Sequence, residues 1–146
     1  DCVKACATAH DNNPRFTRSG PRYGRYQFPH ACMHCVDPVC LIGCPTGAIG
    51  RDLESGNVLI NDPTCVGCKT CADSCPYDNI QMVEITDENG LPFVDRSTNL
   101  PILKATKCDL CESQWGGPAC QRACSHDALI RLDMQDLSSV KSWISR

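Results

Sequence analysis

Large apolar side chains are scarce in this sequence, with three Phe, three Tyr and two Trp among 146 residues. A core made from so few would be thin, and chains of that kind are held by metals or disulfides. Long apolar runs are absent: none approaches the roughly 20 residues that a membrane span requires. A basic excess is absent as well. Fourteen Lys and Arg stand against 17 Asp and Glu, a formal net charge of −3, so nothing global points to nucleic acid. No signal peptide is visible at the abrupt opening Asp1-Cys2. The length fits one or two small domains.

What the chain has in excess is cysteine. Fourteen cysteines occur among ten Gly and ten Pro, so turns are frequent and long regular elements are not expected. The cysteines fall into four groups. The first is Cys2 and Cys6. The second is Cys32, Cys35, Cys40 and Cys44, the third Cys65, Cys68, Cys71 and Cys75, and the fourth Cys108, Cys111, Cys120 and Cys124. Every group ends in C-x3-C, and the last three share the form C-x2-C-xn-C-x3-C with only n varying. That is an internal repeat. It extends past the last cysteine of each group: Cys44-Pro45-Thr46-Gly47-Ala48-Ile49 aligns with Cys75 to Ile80 and with Cys124 to Leu129. In each, a short turn is expected to lead to an apolar residue that starts a strand.

The third group has the strictest spacing, C-x2-C-x2-C-x3-C-P. Bacterial ferredoxins hold 4Fe–4S clusters with this run, and the fourth cysteine of one run ligates the other cluster. Two other uses of cysteine compete with it. Seven disulfides in a secreted scaffold would use all fourteen, but four sulfurs this close together are poorly placed for that. Zinc accepts C-x2-C pairs, yet zinc does not account for the repeated x3 endings. The spacing therefore favours 4Fe–4S clusters.

The four groups together, with the second widened to x2, x4, x3 and the fourth to x2, x8, x3, resemble the iron–sulfur electron-transfer subunits of the DMSO reductase (molybdopterin oxidoreductase) type. The resemblance covers residues 2 to about 132. It implies an α+β fold of two tandem bacterial-ferredoxin-like modules, with short helices and β-hairpins wrapped around the clusters. One module would be residues 27–86 and the other residues 1–26 plus 87–132, followed by a helical tail at 133–146. It also implies an exchange of last cysteines between paired groups. Cys32, Cys35, Cys40 and Cys75 would hold one cluster, and Cys65, Cys68, Cys71 and Cys44 a second. Cys108, Cys111, Cys120 and Cys6 would hold a third. Cys2 and Cys124 remain, half the ligands of a fourth cluster whose other two would precede Asp1.

The implied function is that of an electron conduit with no catalytic residue of its own. Its partners would be a molybdopterin catalytic subunit and a quinone-reactive membrane subunit or soluble redox protein. It would lie on the cytoplasmic or periplasmic side of a prokaryotic membrane complex. The alternative is a ferredoxin-type domain within a larger fused redox enzyme, flavin- or hydrogenase-linked.

Other segments carry weaker signals. Residues 14–30 interleave Arg15, Arg18, Arg22 and Arg25 with Phe16, Tyr23, Tyr26 and Phe28, expected as a long loop packed over the clusters. His30 and His34 flank Cys32, but cysteines already fill that site, so both are read as neighbours or surface groups. Ser125 stands where the second and third groups carry proline, which puts the local turn in question. Lys69, Lys104 and Lys107 lie near ligands, where positive charge raises cluster potentials; a solvated surface role is the plain alternative for each. Ser55-Gly56-Asn57 before Val58-Leu59-Ile60 reads as a hairpin, as does 87–103 with Asn89-Gly90 at its turn. The interval holding Trp115-Gly116-Gly117-Pro118 must bulge out as a loop. Leu137, Val140 and Ile144 at helical spacing predict a short amphipathic helix packed on this chain.

Overall fold

Frequent glycines, prolines and Asx turns cut the backbone into pieces too short for extended helices or broad sheets. In a computed structural model, which describes residues 1–133 and 136–145, the chain is a mixed helix-and-strand protein. Helix α1 spans Cys2–Thr8. Strands β1, Arg22–Tyr23, and β2, Tyr26–Gln27, form an antiparallel ribbon. Helix α2, Val39–Ile42, precedes β3, Ile49–Arg51, which pairs antiparallel with β4, Val58–Ile60. Helix α3, Thr70–Ser74, precedes β5, Gln81–Glu84, which pairs with β6, Leu103–Thr106. Helices α4, Ala119–Arg122, and α5, Leu137–Ile144, complete the order. Helix α2 packs on α3, and α1 packs on α4, so the first cysteine group lies against the fourth and the second against the third. No helix among the described residues is long and apolar enough to cross a membrane.

The β3–β4 hairpin forms where the sequence placed it. Asp52 closes its turn by accepting from the amides of Glu54 and Ser55 at 3.0 and 2.6 Å, an Asx turn. The segment after β5 differs from the single hairpin expected. It makes two turns, at 87–91 and 95–100, with bridges Thr86↔Pro92 and Val94↔Pro101. Asp87 Oδ1 accepts from the Asn89 and Leu91 amides, and Asp95 Oδ1 accepts from Ser97 and Thr98. The result is an exposed arm tied at its base, where the Phe93 amide donates to the Ile85 carbonyl and the Ile102 amide to the Phe93 carbonyl.

Two further expectations are revised. Within the basic and aromatic loop 14–30, residues 22–27 form a short antiparallel ribbon and Thr17 bridges His30, because the Gly24-Arg25 turn lets the backbone pair with itself. No strand follows Leu129 among the described residues, whereas β3 begins at Ile49 and β5 directly after Ile80. The tail does form a helix, started by Asp136 Oδ1 accepting from the amide of Ser138 at 3.0 Å. It touches the ribbon where Tyr26 Oη donates to the Ile144 carbonyl at 3.5 Å, but Ile144 itself is exposed and the Leu137 side chain lies outside the described residues.

The core shows how little apolar mass is available. Ile49, Val58, Ile80 and Ala105 are buried together with Cys71, and Cys40, Cys44, Cys65 and Cys75 pack against them. Sulfur thus takes the place that aliphatic side chains fill elsewhere.

Candidate metal centres

The repeat in sequence becomes a repeat in backbone conformation. In each C-x2-C turn the residue before the second cysteine is left-handed: His34 (φ 47°), Gly67 (φ 70°) and Leu110 (φ 60°). Non-glycine residues held there carry strain of about 1–3 kcal/mol each and cluster at functional sites. At Gly67 space also forbids a side chain, since a Cβ would lie 2.2 Å from the Leu103 carbonyl oxygen. The third cysteine then sits second in a one-turn helix, as Cys40 in α2, Cys71 in α3 and Cys120 in α4. The fourth lies beyond the helix and leads into another left-handed residue three positions on: Gly47 (φ 65°), Asp78 (φ 52°) and Asp127 (φ 47°). Ser125 in place of proline leaves this turn intact.

These turns aim amides at sulfur. Ala128 N–H donates to Cys124 Sγ at 3.2 Å and Asn79 N–H to Cys75 Sγ at 3.5 Å. His34 N–H reaches Cys32 Sγ at 3.4 Å, and Arg15 N–H reaches Cys6 Sγ at 3.3 Å. Backbone donors from Ala128 and His126 hold the Cys124 thiol below its ordinary value. At Cys44 a burial penalty is outweighed by the Thr46 hydroxyl and by amides of Thr46, Ala48 and Ile49, again lowering the thiol. Cys68 is lowered first by the Thr70 hydroxyl and then by the Thr70 amide.

Thiols from different groups are brought together. Cys44 of the second group lines one cavity with Cys65, Cys68 and Cys71 of the third. Burial pushes the Cys40 thiol up, and the neighbouring Cys32 and Cys75 push the same way. Cys35 is half-buried, and Arg51 holds its carbonyl at 2.6 Å. Around the fourth group, burial raises Cys108 to about 11, with Asp109, Cys120 and Cys6 adding to it. Burial likewise raises Cys120, with Cys6 and Cys111 as neighbouring charges. Cys2 and Cys124 line a separate cavity of about 410 Å³ that also receives Arg18, Arg22, Arg25 and His126.

Several polar residues in these sites gave no sequence signal. His10, 9% exposed, places Nε2 3.5 Å from Cys111 Sγ and 3.5 Å from Asp109 Oδ1. Asp109 in turn accepts from Arg15 Nη1 at 2.7 Å and from the Cys111 amide at 2.9 Å. His10, Asp109 and Cys111 form a compact donor cluster. Its partners come from opposite ends of the chain, which no local spacing reveals. Of the two histidines singled out, His30 is exposed. His34 packs inward, its Nδ1 accepting from the Val58 amide at 3.0 Å. Burial, then Lys107 and Arg131, holds it down at about 4. The three lysines also separate. Lys69 is solvated and paired with Asp73 at 3.4 Å, Lys104 donates to the carbonyls of Asp62 and Cys65, and Lys107 is buried.

Free thiols gathered from paired groups, left-handed turns that aim N–H groups inward, and amide donors on the sulfurs fit the ligation of iron–sulfur cubanes. All fourteen cysteines are free thiols. The class so defined is an iron–sulfur protein of ferredoxin type. Residues 24–134 match the 4Fe-4S dicluster domain, and the chain belongs to that family. It is 37% identical over 113 residues to electron transport protein HydN of Escherichia coli, covering 76% of this chain and 62% of HydN. To formate hydrogenlyase subunit 2 of Escherichia coli it is 32% identical over 162 aligned positions, covering 95% of this chain and 78% of that subunit. It is 33% identical to the putative oxidoreductase AegA of Escherichia coli, covering 88% of this chain but 19% of AegA. The chain is thus an iron–sulfur protein of the 4Fe-4S dicluster family, and it spans 62% of the length of HydN.

Proposed function

We propose that this chain is the electron-transfer subunit of an oxidoreductase complex of the DMSO reductase type, linking a molybdopterin catalytic subunit to a quinone-reactive or soluble redox partner. The organisation proposed is two tandem ferredoxin-like modules, residues 27–86 and residues 1–26 plus 87–132, with the tail at 133–146. The observation that carries this reading is the convergence of thiols across groups. Cys44 shares a cavity with the third group, Cys75 faces Cys40, and Cys6 faces Cys108 and Cys120.

The ligand sets proposed are Cys32, Cys35, Cys40 and Cys75; Cys65, Cys68, Cys71 and Cys44; and Cys108, Cys111, Cys120 and Cys6. Cys2 and Cys124, on one cavity, are proposed as two ligands of a fourth set. Bound clusters of this kind supply one-electron redox chemistry; the chain supplies thiolates, amide donors and a shell that limits solvent. A place beside a prokaryotic membrane, on either face, belongs to the same proposal.

The test is Cys75→Ser in anaerobically purified protein, with iron and sulfide analysis and EPR after dithionite. The expected outcome is loss or conversion of the cluster held by Cys32, Cys35 and Cys40. Loss confined to the Cys65–Cys71 cluster would refute the exchange. Zinc in place of iron would sink the whole reading. The alternative, a domain of a larger fused redox enzyme, draws on the small share of AegA that the chain covers. Mass and domain content of the intact protein in its native complex decide between the two.

A further inference from the structure

Among the lysines near ligands, Lys107 has an unusual position: it is 3% exposed. Its Nζ donates to the carbonyl of Val58, in β4, and to the carbonyl of Cys108 at 3.3 Å. Val58 lies in the core beside the second and third groups, and Cys108 opens the fourth. Lys107 therefore bridges the two proposed modules. Its acceptors are neutral carbonyls, and no carboxylate pairs with it among the described residues. Its charge acts on Cys40 and on His34, whose amide bonds Cys32 Sγ. The other charged groups nearby are Arg131, which donates to Asn57 Oδ1 at 2.9 Å, and Glu112, which accepts from Asn57 Nδ2 at 3.0 Å. Asp109 also acts on His34 from the fourth group.

We infer that the Lys107 ammonium is a fixed positive charge at the junction of two cluster sites and sets the potential at which an electron crosses from one module to the other. This rests on the ligand sets proposed above. One-electron reduction adds one negative charge to a cluster. A buried cation on the order of 10 Å away stabilises the reduced form, and at an effective dielectric near 20 the effect is about tenfold in the reduction equilibrium. Lys107 is a positioning and tuning residue, buried at 3% exposure.

The test is potentiometric titration followed by EPR on anaerobically purified protein carrying Lys107→Gln, Lys107→Met or Lys107→Arg. The glutamine variant keeps an N–H donor and removes the charge; the arginine variant keeps the charge. The neutral variants are expected to reduce the two flanking clusters at potentials lower by about 59 mV, the equivalent of tenfold for one electron. The arginine variant is expected to stay at the wild-type values. Should one neutral variant lose iron, the other carries the measurement. Unchanged potentials in an iron-replete neutral variant overturn the inference, as does an equal drop in the arginine variant. Wild-type protein without iron would instead defeat the cluster assignment itself, which iron analysis reads separately.

Discussion

The surroundings of the third and fourth cysteine groups differ in what holds them. Around Cys44, Cys65, Cys68 and Cys71 the support is apolar, from Ile49, Val58, Ile80 and Ala105, and Cys68 is exposed beside the Thr70 hydroxyl. Around Cys6, Cys108, Cys111 and Cys120 the support is polar. Arg15, Asp109, His10 and the Gln114 side chain, which donates to the Ala9 carbonyl at 2.9 Å, link α1 to the fourth group. Cys6 and Cys111 are nearly out of solvent there, at 4% and 5% exposure. One region uses oil with an open side, the other a closed hydrogen-bonded clamp. A chain with so few large apolar residues can pack one conventional core and must build its second region from charges.

The contrast can be broken most decisively by limited oxidation. Substoichiometric ferricyanide, followed by EPR and iron counting, should remove the cluster beside the exposed Cys68 first and leave the one beside Cys6 and Cys111 in place. Simultaneous loss of both would erase the distinction. The next effect is on stability. Val58→Ala should cost about 2–3 kcal/mol by removing two buried methyls and leaving a cavity. Asp109→Ala should cost about 1.5–3 kcal/mol, because Arg15 and His10 lose a charged acceptor. Denaturant unfolding of the iron-loaded protein checks both; a negligible loss in Asp109→Ala would mean the clamp is decorative. The smallest effect is expected at Trp115, 97% exposed. Trp115→Ala should leave stability within about 0.5 kcal/mol of wild type and iron content unchanged, which thermal melting and iron analysis report.

What was legible in the sequence follows from covalent connection. Spacing within a group ties sulfurs to one turn and one short helix, so the three C-x2-C turns, the β3–β4 hairpin and the terminal helix could all be anticipated. The second turn of the arm carries a local signal in Asp95-Arg96-Ser97, the same Asx chemistry as at Asp52. The ribbon at 22–27 was hidden by its basic and aromatic composition. The clamp was invisible for a different reason: Arg15 meets Asp109 across 94 positions and His10 meets Cys111 across 101. Lys107 gave a misleading signal, since lysine is rarely buried without a charged partner.

The interval between the second and third cysteines runs from two residues at Gly67-adjacent turns to eight at Glu112–Ala119, while the flanking turn and helix keep their form. The variable stretch loops away from the sulfurs, with Gly116 and Gly117 both left-handed (φ 87° and 77°) and Trp115 in open solvent. Length there is decoupled from metal chemistry. It is consequently the graft site of the molecule: an affinity tag, a fluorophore or a tether to an electrode inserted at Gly116-Gly117 would extend a loop that already tolerates expansion.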